Sequence, residues 1–259
     1  IPAGTAARPS LRIALDTLFN HPNTGPFIGR QLIQRLVTSN PSRAYLSRVS
    51  AAFANNGAGV RGDMKAVIRA VLLDDEARLP ARAGDSRHGK VREPVLRVTA
   101  WARAFEASSK TGDFRIRQTG QIGQSTMEAP SVFNFYRPGF VPPGSAIATA
   151  GLVAPELQIN TESQVTAYIN FMKDVVEQGY GDWGAKDVFS TYNREMALAS
   201  NPDALIDRVD LLLTGQRLSS ATRSAMRRAI ESVPATSALQ RARIAVLLAL
   251  CSPEFLVQV

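Results

Sequence analysis

The sequence predicts an all-α protein: two small helical bundles with a long Pro-, Gly- and aromatic-rich irregular segment between them. Apolar residues recur at three- and four-residue intervals through most of the 259 residues, the spacing that lines one face of a helix. Residues that start and stop helices punctuate these runs. Residues 111–151 break the pattern with closely spaced Gly and Pro, which continuous helix does not accommodate.

The elements follow in order. Ser10 is placed to cap a helix reaching about Phe19, with Leu11, Leu15 and Leu18 on one face. Ile28, Leu32, Ile33, Leu36 and Val37 form the stripe of a helix over about 24–39. Pro41 stands where the next helix begins, and Tyr45, Leu46, Val49 and Phe53 line its inner side. Asn55-Asn56-Gly57 ends it, the glycine supplying left-handed backbone. A fourth helix over 63–74 buries Val67, Ile68, Val71 and Leu72. A polar link, 78–92, leads to a helix over 94–108 whose inner side is Val95, Val98, Trp101 and Phe105. After the irregular segment, helices resume near Thr161 and run over 203–214, 220–232 and 237–250. This gives an N-terminal bundle at 1–110, a connecting segment at 111–160 and a C-terminal bundle at 161–259, with one continuous domain as the alternative. Leu32-Ile33-Gln34-Arg35 and Leu205-Ile206-Asp207-Arg208 echo one another, either as two related hairpins or as the ordinary likeness of amphipathic helices.

Composition excludes several classes. No apolar run approaches the ~18 residues that a membrane span needs. The start, Ile1-Pro2-Ala3-Gly4, lacks the layout of a signal peptide and reads as a processed end or an internal point of a longer chain. The net charge of +8 comes from 25 Arg and 5 Lys spread along the chain, which reads as solvated helix faces rather than a nucleic-acid groove. The lone Cys251 follows the apolar run 244–250 and reads as a small buried hydrophobe. No Cys/His spacing suits a metal, and no cofactor is expected.

Three blocks carry a resemblance. The first is Ala14-Leu15-Asp16-Thr17-Leu18-Phe19-Asn20-His21-Pro22-Asn23-Thr24-Gly25-Pro26-Phe27, running on to Gln31-Leu32-Ile33-Gln34-Arg35 and Asn40-Pro41. The second is Lys90-Val91-Arg92-Glu93-Pro94. The third is Ala129-Pro130-Ser131-Val132-Phe133-Asn134-Phe135-Tyr136-Arg137-Pro138-Gly139-Phe140, with Gly151-Leu152-Val153-Ala154-Pro155-Glu156 after it. Together they resemble the mainly bacterial family called domain of unknown function 1800, in its C-terminal part. The resemblance implies a helical protein, often exported to the periplasm or beyond, and often encoded beside a sulfatase-like family that becomes a candidate partner. It supplies no catalytic residues.

Only His21 and His88 offer imidazole chemistry. His21, just before a helix N-terminus, reads either as an anion contact or as a turn residue bonded to local backbone. His88 reads as a solvated residue of the polar link. No Gly-x-Ser-x-Gly elbow is present, and Asp74, Asp75 and Glu76 read as acids at a helix end. The strongest candidate is the third block: Phe133, Phe135, Tyr136 and Phe140 interleaved with Asn134 and Arg137 suit a sugar, a polar ligand or an interface anchor. The same residues also suit a structural lock, as do Lys90, Arg92 and Glu93. The reading that follows is a scaffold or partner-binding component. Its alternatives are a hydrolase-type enzyme with its active groups upstream, or a binder of acidic polymers. The helices at 11–19 and 95–105 are expected to be covered by upstream sequence or another chain.

Overall fold

Helix formation here begins with caps. Ser42, Asp63, Asn201, Ser219 and Ser252 each accept a backbone N–H two or three residues ahead, satisfying donors that a helix start leaves free. The computed structural model describes residues 1–79, 84–85, 87–132, 134–182 and 186–259. Among these are fourteen α-helices, and the four strands are two residues long. The protein is all-α. No described helix is long and apolar enough to cross a membrane.

Residues 1–90 with Val259 form one unit, and 91–258 the other. The first contains α1 (Ala7–Asn20), α2 (Thr24–Leu36), α3 (Arg43–Ala54), α4 (Met64–Leu72) and the short α5 (Asp75–Arg78). Ile33 of α2, Tyr45, Val49 and Phe53 of α3, and Val67 and Val71 of α4 make its core. Helices α2 and α3 approach closely because Gly25 and Gly29 have no Cβ: one built there would lie 3.1 Å from Phe53 and from Val49. The buried Tyr45 hydroxyl donates to the Val71 carbonyl at 2.6 Å, pinning α3 to α4. Asn55 and Asn56 end α3 as the sequence predicts, their side-chain oxygens collecting N–H groups from Gly57 to Val60. Ser10 departs from expectation. It lies inside α1, which starts at Ala7, and its hydroxyl donates back to the Thr5 carbonyl instead of capping.

The second unit contains α6 (Pro94–Ala104), α7 (Thr119–Ile122), α8 (Ala146–Thr149), a 3-10 helix (Pro155–Ile159), α9 (Glu162–Gln178), α10 (Asn193–Met196), α11 (Pro202–Thr214), α12 (Ser220–Glu231), α13 (Ala238–Leu250) and α14 (Pro253–Leu256). Small residues of α13, Ala242, Ala245 and Ala249, are fully buried and let the neighbouring helices close on it. Trp101 donates through Nε1 to the Tyr192 hydroxyl at 2.8 Å, and the Tyr168 hydroxyl donates to the Leu250 carbonyl at 3.0 Å. The two compact units divide at residue 90, whereas the sequence suggests a bundle boundary at 110, and Val98, Trp101 and Phe105 of α6 pack into the second core. That packing covers the inner face of α6 within this chain. The irregular segment likewise belongs to this unit, where it buries Ile116 and Ile122 and forms α7 and α8. Cys251, at the end of α13, is half-buried rather than buried, and burial pushes its thiol up to about 11 against the opposing charge of Arg97.

Candidate functional site

The residues singled out from the sequence are each engaged with their own surroundings. His21 closes the turn after α1: its Nδ1 accepts the Asn23 N–H at 3.1 Å, and its carbonyl accepts from Arg61 at 3.1 Å. The His88 N–H donates to the Asp85 carbonyl at 2.9 Å. Lys90 is buried and donates through Nζ to the Arg35 carbonyl at 2.7 Å, beside a Thr38–Gly89 pair that exchanges two further bonds. Asp74 and Glu76 are occupied as well. Asp74 receives two bonds from Arg48, which hold its carboxyl below the usual carboxylate range, and Glu76 receives the Ser42 N–H and hydroxyl.

In the second unit, Arg92 lays its guanidinium over the Phe255 ring at 4.4 Å. Burial and the nearby charge of Arg217 lower its pKa. Glu93 accepts from the Gln124 amide at 2.7 Å, and the Gln124 carbonyl oxygen accepts the Val95 N–H at 3.1 Å. That pair ties the start of α6 to the irregular segment. Asn134 is half-buried in left-handed backbone with φ of 67°, which its side chain type tolerates better than most. Tyr136 is buried, whereas Arg137 is exposed and its backbone N–H donates to Gln158 at 2.8 Å. Phe133 lies outside the described residues.

Two surfaces stand apart from these residues, one on the helix that the sequence marks as needing a cover and one that no sequence motif signals. The first belongs to residues 1–90. Helix α1 buries none of its residues, and Leu11, Leu15 and Leu18 are 60%, 56% and 65% exposed. Its C-terminal end is held by Arg61, which donates to the Phe19 carbonyl at 3.1 Å and lies over the Phe19 and Phe53 rings. Ile68 and Leu72 of α4, expected from the sequence to be buried with Val67 and Val71, instead join Met64 in an exposed stripe at four-residue spacing. Charge is concentrated here too. Residues 1–90 hold thirteen Lys and Arg against six Asp and Glu, whereas 91–258 hold seventeen against sixteen. The even spread along the sequence conceals a basic unit and a nearly neutral one.

The second surface is a cleft of about 440 Å³ in the second unit. At the end of α9, Gly179 turns the chain with φ of 80°, so close to the returning strand that a Cβ would sit 2.1 Å from the Val188 carbonyl oxygen. Tyr180 and Val188 then exchange backbone bonds at 2.9 and 2.8 Å, which brings Asp182 and Lys186 to the rim. Arg117, Gln118 and Gln121 face them from α7 and the residues before it, with Asp174 of α9 alongside. Phe171 and Tyr180, both buried, supply the apolar lining. The Tyr180 hydroxyl donates to the Phe114 carbonyl at 3.1 Å, and burial raises its pKa to about 12, so it stays protonated. Arg117 is held by Glu128 at 2.9 Å and by Asp182 at 3.5 Å. The side chains of Gln118, Gln121, Asp174 and Lys186 have no partner among the described residues. The described residues contain no group of three metal-ligating side chains.

A family model described as protein of unknown function (DUF1800) matches residues 1–257. No curated protein and no solved structure matches the chain.

Proposed function

For a chain that belongs to the DUF1800 family of proteins of unknown function, we propose a role as a partner-binding component, docking through the exposed apolar face of α1. One observation carries this reading: a fourteen-residue amphipathic helix buries none of its side chains while turning Leu11, Leu15 and Leu18 to solvent. Contiguous exposed apolar area of this kind marks interaction surfaces on folded proteins.

The charge of the same unit selects the occupant. Thirteen cations against six acids favour a protein surface with an apolar centre and a rim of carboxylates, and disfavour a second copy, whose arginines would meet like charge. The family resemblance, with its often exported members, supports seeking that partner among exported proteins. The hydrolase reading places its active groups upstream, and the acids and histidine of this chain add no support to it. Asp74 and Glu76 are committed to Arg48 and Ser42, and His21 to its turn.

The test is a photo-crosslinking residue at position 15 in cells, with position 228 of the second unit as control. A discrete adduct with an acidic protein from position 15 alone, lost when Leu11 and Leu18 become Ser and weakened by salt, is the expected result. An adduct with a second copy overturns the reading. So does equal crosslinking from both positions, or no adduct together with binding to anionic vesicles or heparin that ignores the leucine changes.

A further inference from the structure

We infer that the cleft between α7 and the end of α9 is a binding site for a neutral, hydroxyl-rich ligand of the saccharide class. Its volume of about 440 Å³ lies within the range of small-molecule sites. What selects the ligand is the balance of the rim. Arg117 and Lys186 face Asp174 and Asp182, so neither an anion nor a cation gains from the site as a whole. An anion would meet two carboxylates and a cation two positive groups. A hydroxyl is donor and acceptor at once, and can use every group present. It donates to Asp174, accepts from the Lys186 ammonium, and does both with the Gln118 and Gln121 amides.

These four side chains are the ones left without partners among the described residues, while the groups behind them are fixed. Arg117 is clamped between Glu128 and Asp182, and the hairpin from Gly179 is closed by the Tyr180–Val188 bonds. The frame is therefore set before a ligand arrives, which lowers the ordering cost of binding. Phe171 and Tyr180, both buried, form a fixed apolar floor to the cleft beneath these polar groups. The inference concerns binding alone, and it is independent of the α1 docking surface.

Titration calorimetry on the chain with maltotriose, cellotriose and chitotriose tests it, alongside trigalacturonic acid and dialanine as charged and zwitterionic comparisons. At least one neutral trisaccharide should bind, more tightly than either comparison. Gln121→Ala and Asp174→Ala should each weaken that binding about tenfold, the loss of one hydrogen bond to the ligand. Both residues are exposed, so the melting temperature should hold, and Leu15→Ser should leave the affinity unchanged. Failure of all three neutral sugars to bind overturns the inference. Preference for trigalacturonic acid or dialanine does so too, as does undiminished binding in the two cleft variants.

Discussion

Tyr136 and Arg137 are neighbours in sequence and opposites in environment, one buried and the other exposed. Arg137→Ala should therefore shift stability by less than ~0.5 kcal/mol, the range of ordinary surface changes. Tyr136→Ala should cost about 3 kcal/mol through the cavity it leaves. Urea melts of the two variants check both. Glu254 makes a pH-dependent contribution. Burial alone would raise its pKa, but bonds from the Ser219 N–H at 3.1 Å and the Thr222 hydroxyl at 2.9 Å hold it at about 2. Because the folded value is depressed, the stabilisation is complete above the ordinary 4.5 and is lost as pH falls toward 2. Glu254→Gln should lower the melting temperature at pH 7 and leave it nearly unchanged at pH 2, which a series of thermal melts reads directly. The polar character of Lys90, Arg92 and Glu93 was legible in the sequence. Their partners were not, since Lys90 reaches a carbonyl 55 residues away.

At the level of elements, the helices and many of their ends could be read from spacing and caps, because these are local. Asn55-Asn56-Gly57 works as an ending within five residues of chain. Ser10 misled because a serine near a helix start can donate backward as readily as it caps. The inner side of α6 was legible from Val98 and Trp101, but periodicity says which face is buried and not against what, so the core it joins was not legible. The cleft left no motif, since its lining comes from the separate stretches 117–121, 171–182 and residue 186. Gly179 is the element-scale residue most open to test. Gly57 also has positive φ, at 94°, but open space around it, so Gly57→Ala should cost only the ~1 kcal/mol of left-handed backbone. Gly179→Ala adds a collision with the Val188 carbonyl and should cost at least ~2 kcal/mol, with local rearrangement visible as shifted amide resonances for Tyr180 and Val188.

For the whole molecule, two separate cores predict two unfolding steps. Calorimetry should resolve one transition for residues 1–90 and another for 91–258, with Glu254→Gln moving only the second. Replacing Leu11 and Leu15 by Ser should leave the first nearly in place, because those side chains are more than half exposed. The half-buried cysteine at the end of α13 makes the second step measurable in time as well as in heat. With the thiol at about 11, on the order of one molecule in ten thousand carries a reactive thiolate at neutral pH. Each opening of that helix end returns Cys251 to an ordinary acidity and exposes it to reagent. The chain's single sulfhydryl thus works as a chemical stopwatch: the rate at which a disulfide reagent colours the solution reports how often the second unit comes apart.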